Sequence, residues 1–321
     1  MQSIDSDQKA VIQRLSEYAS VFQQKYRVQP YDDLNITREE ILTLSPAQSL
    51  DLAYSTTMFA RQGGGMYSEP ARQALDIVTS NTGSKIPPDK MWNQFCQVCQ
   101  DEFEYEINDM TKGPVIDLPE VLNEQEQERK NFYAWIDSHI EAGTLSKVEK
   151  RLRDMYGVGM KIARLTLRQA VWALDRESDL REDELRYVHP IDGQVAAIIQ
   201  AVWSDVDADP INNRDKWAHH LVSACSTAGV SNIEFNQGAW YWSSEVFDQS
   251  SNELEQCQLI SNNPDEPKTE DENKTHVVTS PSSEDITVST ATRERFMQYK
   301  TEHGYPSDEA TIEALLDSVE Y

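Results

Sequence analysis

The stretch Met155–Leu167 reads MYGVGMKIARLTL: a tight Gly-x-Gly turn, then a lysine, then an apolar helix. Glycines at positions 157 and 159 permit backbone geometry that is closed to other residues, and they let a ligand approach the main chain closely. The preceding run TLSKVEKRLRDM predicts another helix. We therefore expect two helices joined by a hairpin over residues 145–175.

Apolar residues recur at helical spacing through most of the chain, and strand signals are scarce before residue 280. The pattern predicts an all-α body over residues 1–248, which contains the hairpin and a second notable segment at 188–204. The predicted helices cover 5–27, 36–44, 45–60, 69–79, 89–108, 124–142, 145–155, 161–175, 192–204, 214–228 and 232–247.

Composition limits the class of protein. The 321 residues are 39% hydrophobic, and no apolar run approaches the roughly 18 to 20 residues that span a bilayer. The first residues, MQSIDSDQKAVIQRL, lack the apolar core of a signal peptide, so we expect a cytoplasmic protein and no membrane partner. The net charge of −26 argues against a general nucleic-acid binder. It is typical either of an acidic soluble protein or of a protein adapted to high salt, in which DNA contacts would depend more on backbone donors.

The four cysteines do not indicate a metal or redox centre. Cys96 and Cys99 form one C-x-x-C inside a predicted helix, and neither a second C-x-x-C nor a histidine pair follows. We interpret them as structural thiols, and we expect no metal, no iron–sulfur cluster and no other cofactor. A monovalent cation at the hairpin remains an open alternative.

The hairpin is suited to hold a phosphate without net positive charge. We expect the backbone of Gly157, Val158, Gly159 and Met160, together with the start of the following helix, to donate hydrogen bonds to a DNA phosphate. Such contacts position DNA but cannot read its sequence. The alternative is a tight turn between two helices that binds nothing.

Lys161 and Asp192 add chemistry to the hairpin. A lysine amine can attack C1′ of a damaged nucleotide and displace the base, and the resulting Schiff base permits strand cleavage. Attack requires the neutral amine, so we expect burial or a nearby positive charge at Lys161. Asp192 follows Pro190 at a predicted helix start, where it could stabilise the cationic sugar and move protons. The alternatives are a lysine that only touches phosphate and an aspartate that only caps its helix.

These residues resemble the helix–hairpin–helix DNA glycosylase (HhH-GPD) superfamily, whose members share a hairpin LPGVGxK, an apolar helix and then a P-[VI]-D segment. Here the elements read MYGVGMK and HPIDGQV; the layout covers about residues 40–247 and the motifs about 155–203. The resemblance implies a two-lobed helical fold and double-stranded DNA carrying a lesion or modified base as partner. Because the hairpin lysine marks the members that both excise bases and cleave strands, it also implies a bifunctional glycosylase/AP lyase.

The distance between lysine and aspartate bears on the substrate. The 31 positions here exceed the spacing of the common bacterial and eukaryotic branches and are more similar to archaeal 8-oxoguanine glycosylases. The Thr-His or Val-His that often follows the aspartate is replaced by Gly193-Gln194. We therefore expect 8-oxoguanine first, with other oxidised, alkylated or hypermodified bases left open.

A glycosylase must hold an everted base between flat or apolar groups. Gln237, Trp240 and Tyr241 lie on a late predicted helix, and Gln237 and Tyr241 are four residues apart and so share a face. They are candidates for the base pocket, although ordinary core packing is the competing interpretation.

Other residues are weaker candidates. The loop at Gly63–Gly65, with Tyr54 and Gln62, could approach the gap left in the duplex, with Met66 or Tyr67 as a wedge. The competing interpretation is a solvated loop between helices. His189 could orient Asp192 or simply pack in the core.

The C-terminal part differs in composition from the body. Residues 249–283 are rich in Ser, Asn, Asp, Glu and Pro and predict a flexible acidic linker. Residues 284–321, a short strand pattern followed by two helical patterns, resemble a ribbon–helix–helix module, which implies a homodimer more than sequence-specific DNA binding. The alternative function is thus a non-catalytic DNA-binding or regulatory protein that uses both modules.

Overall fold

Helices joined by short turns make up the part of the chain that the structure, a computed structural model, describes. The described residues are 4–28, 30, 31, 34, 36–60, 64–82, 85–125, 130–203 and 209–246. No β-strand occurs among them, so the all-α prediction is confirmed for this part of the chain. The predicted linker 249–283 and the predicted module 284–321 lie outside the described residues.

The α-helices follow the hydrophobic pattern closely in the second half of the chain and less closely in the first. Short 3₁₀ and π segments extend or connect them, among them 38–43, 54–58 and 185–188. The α-helices are α1 (Ser6–Glu17), α2 (Ala19–Gln23), α3 (Pro46–Ala53), α4 (Ser68–Thr82), α5 (Pro88–Asp101), α6 (Leu118–Glu124), α7 (Phe132–Glu141), α8 (Leu145–Asp154), α9 (Met160–Leu174), α10 (Gly193–Val202), α11 (Arg214–Ala228) and α12 (Asn232–Tyr241).

Two predicted helices have different ends in the structure. The helix predicted over 89–108 stops at Asp101, and Glu104 adopts a left-handed conformation with φ of 56°. A helix cannot continue through such a residue. The helix predicted over 124–142 begins only at Phe132, as α7. A separate helix that was not predicted, α6, ends at Glu124 and has Pro119 in its first turn, where a missing N–H costs nothing.

Buried apolar side chains form two separate clusters. The first contains the buried side of α9, with Ile162, Leu167 and Val171. The second contains the buried side of α10, with Val195 and Ile199. The helix that carries Lys161 and the helix that Asp192 caps are therefore anchored in different clusters.

The described helices are too short or too polar to cross a bilayer.

Candidate active site

The hairpin between α8 and α9 forms where the sequence predicts it, but its two glycines have different roles. Gly157 has a φ of 77°, and a Cβ added there would lie 2.4 Å from the carbonyl oxygen of Met110. Gly159 precedes α9 in an extended conformation, with φ of −85°, and a Cβ there would meet no atom within 4 Å. Gly157 is thus required by conformation and packing, whereas Gly159 leaves open space in front of the main chain.

A neighbouring segment braces this turn. A Cβ added at Gly113 would lie 2.1 Å from the carbonyl oxygen of Tyr156, and the backbone N–H of Tyr156 donates to Asp117 Oδ2 at 3.1 Å. Residues 113–117 therefore contact the hairpin directly and restrict the path of its main chain.

The predicted phosphate donors divide into two groups. The N–H of Val158 already donates to the carbonyl of Met155 at 3.1 Å, and its side chain is buried. The N–H groups of Gly157 and Gly159 make no hydrogen bond to any described residue, and Met160 opens α9. The first N–H groups of an α-helix have no partner inside the helix. Gly157, Gly159 and Met160 are therefore the available donors, and Val158 shapes the turn.

The structure brings Lys161 and Asp192 together. Lys161 Nζ lies 3.4 Å from Asp192 Oδ2, although 31 positions separate the residues in the chain. Asp192 is the N-cap of α10: its Oδ1 accepts from the N–H groups of Gln194 at 3.1 Å and Val195 at 3.2 Å. Its Oδ2 also accepts from Trp240 Nε1 at 3.2 Å. The carboxylate is held by three donors besides the amine, so its orientation is fixed.

The surroundings of Lys161 differ from the sequence expectation. Its side chain is 39% exposed, against 14% for Asp192. Instead of a buried amine or an amine beside a second cation, the structure shows a partly exposed amine beside an acid. This arrangement leaves the amine accessible to a large substrate and places a carboxylate beside it.

Trp240 belongs to the immediate environment of this pair. Besides its bond to Asp192, its ring makes edge contacts with Phe22 at 5.7 Å and with Tyr26 at 5.6 Å between ring centroids. Tyr241 packs with Tyr18 at 6.3 Å. Both tryptophan and tyrosine therefore pack against the N-terminal helices, and Trp240 also touches the site.

Gln237 lies deeper than Trp240. It is fully buried, and its Oε1 accepts from Gln23 Nε2 at 2.7 Å, while its Nε2 has no hydrogen-bond partner among the described residues. Its side chain is not on the surface of the described domain, so the described contacts fit core packing better than contact with a base.

Comparison of this chain with known proteins adds no relative. No family, no curated protein and no solved structure matches it. The resemblance to the helix–hairpin–helix glycosylases consequently remains a prediction, which depends on the motifs and on the geometry of the site.

His189 is a buried core residue. Its Nε2 lies 3.0 Å from Asn232 Oδ1, and burial lowers the pKa of the ring to about 4, with a smaller opposite effect from the bond to Asn232. None of its hydrogen bonds or ring contacts involves Asp192. The interpretation as a packed histidine therefore fits the structure better than a role in orienting the carboxylate.

The loop candidates do not join the site. The hydroxyl of Tyr54 is buried and donates to the carbonyl of Pro114 at 3.0 Å. Tyr67 is also buried and donates to the carbonyl of Glu106 at 2.6 Å, whereas Met66 is exposed. Gln62 and Gly63 lie outside the described residues. Met66 is thus the one of these side chains that the structure places on the surface.

Sequence reasoning missed the residues that hold the backbone just before Asp192. Arg168, buried in α9, donates to Asn236 Oδ1, and Asn236 Nδ2 donates to the carbonyl of Pro190 at 3.4 Å. Arg214 Nε donates to the carbonyl of Ile191 at 3.0 Å. These contacts fix the loop just before Asp192. An arginine on the apolar side of a helix was the only available signal, and its partners are distant in sequence.

The described residues contain no group of three or more His, Cys, Asp or Glu side chains that could hold a metal ion. Cys96, Cys99 and Cys225 are free thiols, and burial raises the pKa of Cys99 to about 11. A thiol of this kind is a poor nucleophile at neutral pH because little thiolate is present.

A surface cavity of about 450 Å³ lies elsewhere, between α3 and α4. Three charged residues of its lining are paired with one another: Arg72 contacts Asp51 at 2.6 Å and Glu69 at 3.0 Å. None of its lining residues belongs to the site of Lys161 and Asp192, so we assign the chemistry to that pair and not to the cavity.

Proposed function

We propose that this protein is a bifunctional DNA glycosylase/AP lyase that excises a damaged or modified base from duplex DNA. The observation that carries the proposal is the 3.4 Å contact between Lys161 and Asp192, at the start of a helix that follows a glycine hairpin. The two buried clusters, each anchoring one of the two helices, support a two-lobed arrangement of the glycosylase type. Oxidised guanine is the first candidate base, on the resemblance alone.

The reaction starts at the amine. Neutral Lys161 attacks C1′ of the target nucleotide; the bond between Nζ and C1′ forms, the glycosidic bond breaks, and its electron pair leaves with the base, which takes up a proton. The nitrogen becomes cationic when it bonds to C1′, and it then gives up one proton to water. The lone pair of the nitrogen then forms the C=N bond of a Schiff base while the C1′–O4′ bond breaks and O4′ takes up a proton. Loss of a C2′ proton breaks the C3′–O3′ bond and expels the 3′ phosphate, and water hydrolyses the Schiff base to release Lys161.

Asp192 supplies negative charge where positive charge develops. As the base leaves, the sugar becomes cationic, and a fixed carboxylate close to the amine stabilises that state more than the ground state. Three donors hold the carboxylate in place, so little reorganisation is needed during the reaction. Its capping of α10 and its catalytic role use the same side chain.

One requirement for DNA binding by so acidic a chain is a set of donors that carry no net charge, in addition to any exposed cations. The free N–H groups of Gly157 and Gly159 and the start of α9 meet this requirement, and Gly159 has open space in front of it. The hairpin would hold a phosphate beside the lesion and bring the sugar to Lys161. We further propose that residues 284–321 act as a dimerisation module.

Borohydride trapping tests the enzyme directly. A duplex with one abasic site should be captured covalently by the full chain in the presence of borohydride, because reduction fixes the Schiff base. Lys161→Gln should abolish capture. Lys90→Gln, which changes an exposed lysine in the first turn of another helix, is the matched control and should trap like the wild type.

The variant Asp192→Asn tests the negative charge of Asp192 separately from its role as a helix cap. Asparagine caps helices about as well as aspartate, so the fold should stay intact while turnover falls by orders of magnitude. A panel of duplexes with different lesions, at low and at molar salt, would identify the base. Tight DNA binding without capture at any salt concentration would favour the rival, a non-catalytic DNA-binding protein.

A further inference from the structure

The first helix of the hairpin, α8, carries a concentration of positive charge that is unusual for this chain. Residues 145–168 contain seven lysines and arginines and two acids, in a protein whose net charge is −26. Four of the bases lie on α8 itself, and one of its two acids, Glu149, is buried.

Two of the four basic residues on α8 have acidic partners in the folded protein. Arg151 contacts Glu124 at 3.1 Å, and Arg153 contacts Glu149 at 3.4 Å. Both lie in the last turn, where a cation interacts favourably with the helix dipole. These two arginines therefore have structural partners.

The other two basic residues of α8 have no such partner among the described residues. Lys147 and Lys150 are exposed, and within the described ranges no acid lies in ion-pair contact with either. Lys147 is also in the first turn, where the helix dipole disfavours a cation. The opposite side of α8, with Leu145, Val148 and Leu152, is buried, so the two lysines point away from the core.

We propose that Lys147 and Lys150 bind phosphates of the same DNA duplex that the hairpin holds, so that the DNA extends along α8. This inference rests on the proposed function for the identity of the partner. The lysines are three positions apart and lie on one face, about 4.5 Å from each other along the helix axis. Successive phosphates of one strand are about 3.4 Å apart along the duplex axis. The ten residues of α8 are about 15 Å long, which spans about four phosphates.

The positive charge of the two lysines and their position on the helix before the hairpin favour DNA as the partner of this surface. In this acidic chain the exposed lysines lie on the helix that leads directly into the glycine hairpin with its free N–H groups. Asp154 is exposed on the same helix, next to the hairpin. It repels phosphate there, so the charged contacts lie in the first two turns of α8.

The salt dependence of binding tests the inference. Each phosphate contact through a cation contributes about 0.9 to the slope of log K against log salt concentration. For an undamaged duplex, the double variant Lys147→Gln/Lys150→Gln should therefore have a less steep salt dependence: the magnitude of the slope should decrease by about 1.8. The slope is measured by fluorescence anisotropy with the full chain. Its melting temperature should match the wild type, because neither side chain has a structural partner. Lys90→Gln is the control and should leave the slope unchanged.

Failure of the inference and failure of the proposed function give different results. An unchanged slope in the double variant overturns the inference, even if the wild type still forms the covalent adduct with abasic DNA. A lowered slope in a protein that forms no adduct supports the inference and contradicts the enzyme. If the wild type binds no DNA at all, the surface has no such partner and the inference is overturned.

Discussion

Alanine substitutions at Gly157 and Gly159 should affect different properties: the first should lower stability, and the second should lower DNA affinity. Gly157→Ala places a Cβ 2.4 Å from the Met110 carbonyl oxygen and requires a left-handed conformation with φ of 77°. The conformation costs about 1–2 kcal/mol for a residue other than glycine, and the forced shift of the packed neighbour costs about 1–3 kcal/mol more. The free energy of unfolding should therefore fall by about 2–5 kcal/mol.

Gly159→Ala should leave the fold nearly unchanged. Its φ of −85° suits any residue, and the added methyl group meets no atom. Alanine is a poorer N-cap than glycine, but it also restricts the unfolded chain, which stabilises the protein by about 0.4–1 kcal/mol. The two effects largely offset each other. DNA affinity should nonetheless fall, because the methyl group occupies the space in which a phosphate approaches the main chain.

Thermal unfolding followed by circular dichroism, together with fluorescence anisotropy on an abasic duplex, measures both effects. A domain of this size changes its melting temperature by about 2–4 °C per kcal/mol, so Gly157→Ala should melt at least several degrees lower. Equal stability of Gly157→Ala and wild type would refute the packing argument. A stable Gly159→Ala that binds DNA like the wild type would refute the assignment of the phosphate to this turn.

Three further predictions follow from contacts around Asp192 and His189. In urea unfolding, Asp192→Ala should lose about 1 kcal/mol through the lost cap whereas Asp192→Asn should lose almost none; equal losses would contradict the capping role. Trp240→Phe should slow strand cleavage about tenfold on an abasic duplex, since the donor to Asp192 is lost; there is no base to stack in this substrate, so an unchanged rate would favour a stacking role. The pKa of His189 is about 4 when folded and 6.5 when unfolded, so the unfolded chain binds more protons between these values. The free energy of unfolding should then fall by about 3 kcal/mol as the pH drops from 6.5 to 4. His189→Asn should flatten this fall, and an unaltered slope in His189→Asn would contradict the assignment.

The sequence was sufficient to predict the local structure of the site. The Gly-x-Gly turn, the helix after Lys161 and the cap at Asp192 all depend on neighbouring residues, and all three form as expected. Helix ends between residues 89 and 142 were harder, because the left-handed Glu104 and the start of α6 leave no clear trace in the spacing of apolar residues.

Tertiary contacts of the site could not be predicted. The aromatic character of Trp240 suggested a base pocket, but its hydrogen bond to Asp192 joins residues 48 positions apart. Its packing against Phe22 and Tyr26 involves the opposite end of the chain. The role of Gly157 likewise depends on Met110, which no local pattern connects to the turn.

Peptide mapping of the trapped adduct tests the central claim most directly. After borohydride reduction of the full chain with an abasic duplex, digestion and mass spectrometry should find the sugar remnant on Lys161 in the wild type. In Lys161→Gln no other lysine should carry it. A remnant on a different lysine, or on the N-terminal amine, would contradict the assignment of the nucleophile, and the absence of any adduct would contradict the enzyme.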